Sequence, residues 1–344
     1  MQPCNCLGIE ITWACNLNCE HCFFKRFAEI RTNRHSLFED IMREVRAGKD
    51  RGCNRVTIEG KGEPMMHPQI NDIIAGITEL GMMSNIITNA TFPISQYQQL
   101  FDLGLNHLQL SIHGLDKTAD IIMNHNGAGM KQYLLIEWLM ARKLPYRTNT
   151  TLQKLNYKDL PQIIMRLISG SAFHIALLGF LPHYHWKKHI NDVAVHPGEL
   201  RPYIEAAAEL LIESNRYFTI RYHPFCHLLP KYWKYVVNAR YVLYDPWEWD
   251  YGHYNPDWRK VWPFALAMGE SVAMQINPCS ECRMRVFCGG WNRFYADAFE
   301  GADLKPIKEI PKEYIKTYGY AEYLHDLNPA NRLKGYCTDG KPAE

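Results

Sequence analysis

The chain has 344 residues, 47% hydrophobic and 22% charged, with a formal net charge of +2. That is the balance of a globular protein able to bury a large core, as one large domain or one large and one small. It gives no basis for nucleic-acid or membrane-surface binding, and no apolar run nears the ~18 residues needed to cross a bilayer.

Residues 1–9 hold two cysteines and no apolar signal core, so a cytoplasmic protein is expected. The first strand reads at residues 7–13. Strands follow at 55–59, 83–88, 107–112, 146–152 and 174–180, with helix-period stretches between them at 37–49, 69–80, 96–103, 131–142 and 158–168. Such alternation predicts an α/β fold with a parallel sheet and outer helices. The strands read as buried on both faces, with neither face polar. Six β–α units are fewer than a closed eight-unit barrel needs, so a partial (β/α)6 barrel is expected, its chemistry at the C-terminal strand ends. Residues 1–215 are read as this domain and 216–344 as a smaller extension.

After about Pro182 the texture changes. A helix reads at 198–214 and a strand at 217–223, followed by an aromatic-rich stretch at 232–262 and a Lys/Glu-rich tail. The stretch reads mainly as packing over the open side of the barrel, and alternatively as a substrate groove. Asp245, Glu248 and Asp250 within it could meet a cationic group. His113, His183, His185 and His223 are candidate acid–base groups.

Eleven cysteines in a cytoplasmic chain point to metal or cluster ligation, because disulfides are disfavoured there. Cys15, Cys19 and Cys22 form C-x3-C-x2-C directly after the first strand, and Cys279, Cys282 and Cys288 form C-x2-C-x5-C. Cys4, Cys6, Cys53, Cys226 and Cys337 are scattered; Cys4 and Cys6 could reach a site near the barrel mouth. Three thiolates on one loop can hold three corners of a cubane cluster and leave the fourth iron open. The competing reading is zinc with His21 as fourth ligand, a poor geometry because His21 directly precedes Cys22.

The C-x3-C-x2-C loop resembles the signature of the radical S-adenosylmethionine (radical SAM) superfamily. The resemblance implies a [4Fe–4S] cluster whose open iron binds AdoMet, one-electron cleavage to a 5′-deoxyadenosyl radical, and hydrogen abstraction. It also implies a flavodoxin- or ferredoxin-type reductase as partner. By the same resemblance His21 lies near the adenine. Gly60-Lys61-Gly62-Glu63-Pro64 is similar to the family's G-G-E-P motif, which holds the methionine amino group; Lys61 replaces the first glycine of the family pair. Asn89 ends the third strand, Ser111 ends the fourth and Asn149 lies in the fifth, where the family contacts ribose and carboxylate. The backbone of Leu178 and Gly179 on the sixth would line the adenine.

The second cysteine group resembles the SPASM and twitch extensions, which bind auxiliary [4Fe–4S] clusters. Asn292 stands where that motif has a further cysteine, so one auxiliary cluster is expected. Its ligands would be Cys279, Cys282, Cys288 and a fourth thiolate, Cys337 in preference to Cys226. A small zinc knob is the alternative. The resemblance points to modification of a ribosomally made precursor peptide by cross-linking, epimerisation or backbone rearrangement. A first strand at about Leu7 leaves no room for an N-terminal leader-binding module, so the peptide reading requires a separate recognition protein or direct binding by the aromatic stretch. The runner-up is dehydrogenation, decarboxylation or epimerisation of a small molecule such as a sugar, cyclitol or nucleoside.

Overall fold

A computed structural model of the chain describes residues 6–22, 33–182, 189–237, 273–274, 276–286, 288, 290–299 and 304–311. Cys4, Cys337, His183, His185, Asp245, Glu248, Asp250 and all of the aromatic stretch beyond Val237 lie outside them.

The strands are β1 Cys6–Glu10, β2 Arg55–Glu59, β3 Met83–Thr88, β4 His107–Ser111, β5 Tyr146–Leu152, β6 His174–Gly179, β7 Phe218–Arg221 and β8 Val236–Val237. They form one sheet in sequence order with every neighbouring pair parallel. Right-handed crossovers are the rule for such units, so the helices fall on one side of the sheet. They are α1 Phe38–Asp50, α2 Ile70–Glu79, α3 Ile94–Asp102, α4 Asp116–Met123, α5 Ala128–Ala141, α6 Leu160–Ile168, α7 Ile190–Val193 and α8 Pro197–Glu213. The partial α/β barrel expected from the sequence is therefore present, with two strands more than its six units. Because β7 and β8 belong to the sheet, the barrel runs past residue 215 to at least Val237.

One expectation about the strands needs correction. Register places Gly8, Thr57, Asn85, His107, Gln109, Arg147, His174 and Thr219 on one face. The alternate positions carry Leu7, Ile9, Val56, Ile58, Ile86, Leu108, Leu110, Ile175, Leu177, Phe218 and Ile220, which join the main core. The outer face is thus apolar and packs on the helices, while the inner face is polar. Some of its groups pair with one another: Thr57 donates to Asn85 at 2.6 Å, and the His174 ring meets the Thr219 hydroxyl at 3.0 Å. Such pairing lowers the cost of burying them.

One strand end and one helix differ most from the sequence reading. β1 ends at Glu10, because residues 11–13 turn to pair antiparallel with 34–36: Ser36 N–H donates to Ile11 O at 2.9 Å and Trp13 N–H to Arg34 O at 2.9 Å. Helix α4 went unread. It buries only Ala119, Ile122 and Met123 and leaves Ile121 60% exposed, so its apolar period is weak. Asn124, left-handed at φ 49°, ends it.

The C-terminal extension shares a second core with the barrel, in which Trp291, Tyr295 and Leu304 pack with Phe180, Ile190, Val193 and Ala194. Asn292 couples the two. Its Oδ1 accepts from the N–H groups of Phe294 and Tyr295, capping the helix Arg293–Ala298, and its Nδ2 donates to Pro182 O at 3.2 Å. This is a physical reason for asparagine where the related motif has cysteine. Asn292→Ala is expected to cost about 1 kcal/mol, felt locally. Hydrogen exchange should quicken at the amides of 293–298 and leave the barrel strands unchanged.

Candidate metal centre

Cys15, Cys19 and Cys22 lie half-buried on the loop that leaves β1, at the C-terminal edge of the sheet. The antiparallel pairing of 11–13 with 34–36 closes the base of this loop. Thr12 reinforces it, its hydroxyl 2.8 Å from His35 Nδ1 and accepting from Ala14 N–H at 3.1 Å. Helix α4 holds the far side. The last carbonyls of a helix lack partners inside it, and here Met123 O accepts from Asn18 N–H at 3.3 Å and Ile122 O from Glu20 N–H at 2.8 Å. Leu17 packs with Met123 and Ala128, and Cys15 and Cys19 lie against that small cluster.

The segment after β2 pins the same loop from below. Gly62 N–H donates to Thr12 O at 3.2 Å, and Glu63 N–H to Ala14 O at 2.7 Å. A Cβ at residue 62 would sit 1.9 Å from Ala14 O, so only glycine fits. Lys61 has its own place: Nζ lies 3.9 Å over the Trp13 ring and 3.3 Å from a Glu10 carboxylate oxygen.

Glu63 is buried, and its carboxylate is committed internally. Oε1 accepts from Met65 N–H at 3.1 Å and the Thr88 hydroxyl at 2.8 Å, and Oε2 accepts from Asn89 N–H at 2.7 Å. Pro64 opens the short 3-10 turn that Glu63 caps. Burial pushes the carboxyl up to about 7, against the pull of the Asn89, Thr88 and Met65 donors. Through these bonds Glu63 braces the β2 and β3 ends. Asn89 carries the bracing on, donating to Asn16 Oδ1 at 2.8 Å, and so joins β3 to the residue next to Cys15. Gln132 of α5, which sequence reading passed over, donates to both Asn89 O and Ser111 O at 2.8 Å.

Ser111, the last residue of β4, is the register partner of Asn149, midway along β5, and both are half-buried on the inner face. Leu178 pairs in register with Thr151 on that face, and Gly179 passes close to the backbone of Tyr222, where a Cβ would lie 2.8 Å from Tyr222 O.

His21 does not stand ready as a fourth ligand. Its Nδ1 is 3.2 Å from Gln153 Nε2, and its ring meets His113 edge-on with centroids 4.3 Å apart. His113 accepts from Thr151 N–H at Nδ1, at 3.1 Å, which places the proton of the neutral ring on Nε2. Burial, then the neighbouring His21, holds His113 well below the usual histidine range. Asn156 secures this corner, donating to His113 O at 2.7 Å and Thr151 O at 2.8 Å. His113 is thus a buried neutral strut, and no periodicity or spacing marks Gln153 and Asn156 beforehand. His223 is also buried, its basicity lowered by burial and then by His227. Cys6 is fully buried at the start of β1, 3.3 Å from the Thr57 hydroxyl, at the opposite strand end from the cysteine loop. Its suggested reach to the mouth is therefore corrected.

The second cysteine group lines one cavity. Cys279, Cys282 and Cys288 share it with Cys226, alongside Phe225, Met284, Trp291 and Ile307. Burial raises the Cys226 thiol, and the neighbouring Cys288, Cys282 and Cys279 push it the same way. Burial pushes Cys288 up to about 11, opposed by the N–H groups of Gly290 and Phe225. Among the described residues no three His, Cys, Asp or Glu side chains converge at the spacing of a single metal ion.

Similarity to known proteins bears on the fold. Residues 9–167 match the family model of the radical SAM superfamily. The PqqA peptide cyclase of Bradyrhizobium diazoefficiens is 26% identical over 181 residues, 52% of this chain and 47% of that protein. The PqqA peptide cyclase of Methylorubrum extorquens is 27% identical over 214 residues, 59% and 53% of the two chains. The chain thus spans about half the length of the curated relatives it matches. Streptococcus suis SuiB bound to S-adenosylmethionine superposes with a TM-score of 0.61 at 18% identity, over 90% of this chain and 76% of that one. Native anSMEcpe with bound AdoMet and Kp18Cys peptide gives 0.58 at 14% identity, over 93% and 98%. These likenesses are of fold.

Two outcomes follow from the bracing. Gly62→Ala should separate the 12–14 and 62–63 backbones at a cost of about 3 kcal/mol or more, seen as a lowered thermal midpoint and poor iron uptake at the Cys15 loop. For Glu63, the folded-state pKa lies above its ordinary 4.5. Its stability contribution is therefore full below about 4.5 and lost as pH rises through about 7. Between about pH 5.5 and 8.5 the wild-type melting temperature should fall more than that of Glu63→Gln, measured without ligand.

Proposed function

We propose that the chain is a radical SAM enzyme and that it modifies a ribosomally made precursor peptide by abstracting a hydrogen atom from it. The observation that carries the chemistry is the braced loop: three thiols, held from three sides, beside a polar strand-end surface. The peptide substrate is supported by the relatives that carry the name PqqA peptide cyclase.

The residues present fit the group the family implies. Cys15, Cys19 and Cys22 would ligate three irons of a [4Fe–4S] cluster, with AdoMet on the fourth. When bound, the pair supplies a one-electron reductive cleavage that ends in hydrogen abstraction. What this chain contributes is placement. Gly60 and Gly62 bring a backbone ribbon alongside the loop, and the Lys61 ammonium is drawn aside onto Trp13 and Glu10. The inner-face side chains of Ser111 and Asn149 offer a hydroxyl and an amide to ribose and carboxylate. His21, set by Gln153 and His113, would lie against the adenine, with Leu178 and Gly179 on its other side. Glu63 fixes the β3 outlet, so Asn89 reaches the site through a rigid frame.

An auxiliary iron–sulfur cluster in the C-terminal extension completes the reading, as acceptor of an electron from the substrate. A flavodoxin- or ferredoxin-type reductase would supply the first electron. A reducing cytoplasmic setting suits a chain whose cysteines cluster as C-x3-C-x2-C and C-x2-C-x5-C. No helix among the described residues is long and apolar enough to cross a membrane.

The test is AdoMet cleavage by anaerobically reconstituted protein, given short peptides encoded beside its gene. One such peptide should raise 5′-deoxyadenosine formation at least about tenfold and emerge altered in mass. Stimulation by sugars, cyclitols or nucleosides, with every peptide silent, would overturn the peptide reading in favour of a small-molecule enzyme.

A further inference from the structure

We infer that Cys226 is the fourth ligand of the auxiliary cluster, with Cys279, Cys282 and Cys288. The inference rests on the auxiliary-cluster part of the reading above and replaces Cys337 as that ligand.

The four thiols line a single cavity, and they reach it from two parts of the fold. Cys279, Cys282 and Cys288 come from the turns at Asn277–Glu281 and Arg283–Val286 and the chain that follows. Cys226 comes from the barrel side, on the turn Phe225–His227 that follows β7. That turn is firmly placed. The indole N–H of the buried Trp233 donates to Phe225 O at 2.9 Å and Leu228 O at 3.0 Å, and Phe225 and Leu228 belong to the main core. The start of the aromatic stretch thereby acquires a structural task.

The cavity's other walls suit a thiolate-bound cluster. Met284, Trp291, Leu304 and Ile307 make them apolar. Two backbone donors already aim at sulfur: Ile307 N–H lies 3.4 Å from Cys282 Sγ, and Gly290 N–H 3.4 Å from Cys288 Sγ. Such N–H···S contacts stabilise thiolates and tune cluster potential. Four protein thiolates also leave no open iron, so this cluster would pass electrons and would not bind substrate. With Cys226 as ligand it becomes a covalent tie between the barrel and its extension, complementing the Asn292 contact to Pro182.

The experiment starts from a full-length variant with Cys15→Ala, Cys19→Ala and Cys22→Ala, reconstituted without oxygen. It should hold about four irons and four sulfides. Adding Cys226→Ser should drop iron below about one per chain or leave a three-iron EPR signal, whereas adding Cys337→Ser should keep about four. Since Cys226→Ser could unfold the extension, wild-type protein is alkylated in parallel with and without its clusters, and the labelled thiols are mapped by mass. Cys226 should be protected together with Cys279, Cys282 and Cys288, with Cys337 labelled. Retention of about four irons in the Cys226→Ser variant, or protection of Cys337 in place of Cys226, overturns the assignment alone. Zinc or no metal in the starting variant overturns the auxiliary cluster itself.

Discussion

The segment at Gly60–Glu63 and the segment at Thr12–Ala14 are joined backbone to backbone, at a distance that admits no side chain at Gly62. Glu63 N–H reaches Ala14 O at 2.7 Å, and Cys15 is the next residue. The position of the first thiol is therefore set by the strand beside it. From the same residue the carboxylate of Glu63 turns inward and takes up three donors from its own turn and from β3. Burying a carboxyl is costly unless its oxygens are satisfied, so loss of any donor would propagate to the cysteine loop. Asn89, Asn16 and Gln132 extend this frame to β4 and α5. A site needing close placement is thus built from short hydrogen bonds that tie neighbouring strand ends together.

The two faces of the sheet divide the labour. The outer face carries the apolar mass and secures the fold; fully burying a side chain such as Ile58 or Leu110 stabilises by roughly 1.5–3 kcal/mol. The inner face contributes little of this kind. It is lined by groups that bond to one another, Thr57 to Asn85 and His174 to Thr219, and it leads to the half-buried Ser111 and Asn149 at the mouth. A polar interior suits a charged, heteroatom-rich cofactor better than an apolar one would.

The sheet was legible because strand and helix periods alternate cleanly through residue 180, and five of the first six strands end within one residue of the expected places. The sixth, β1, ends early because its continuation pairs with residues 34–36, a contact no local pattern announces. The polar inner face was misread for a related reason. Cysteine, threonine and histidine scattered at alternate positions do not form an obvious stripe until register aligns them across strands. Helix α4 was missed although its carbonyls hold the cysteine loop; it is short, weakly amphipathic and flanked by turn residues, with Asn124 the one usable stop signal. Of the candidate site, the cysteine spacing and the Gly62-Glu63 motif were readable, since chemistry fixes them locally. The commitments of Glu63 to β3 and of His21 to His113 and Gln153 were not, because they join residues 25 to 132 positions apart. Cys226 belongs to this second kind: only folding brings it to the wall that the other three cysteines line.

The central claim is that the Cys15 loop presents a cluster with one iron open to AdoMet. Electron paramagnetic resonance of the reduced, anaerobically reconstituted protein tests it directly, recorded with and without AdoMet in a variant whose second site is emptied by Cys279→Ala and Cys282→Ala. A [4Fe–4S] signal whose g-values shift on addition of AdoMet is the expected result. A signal indifferent to AdoMet, or no iron at the loop, would contradict the account.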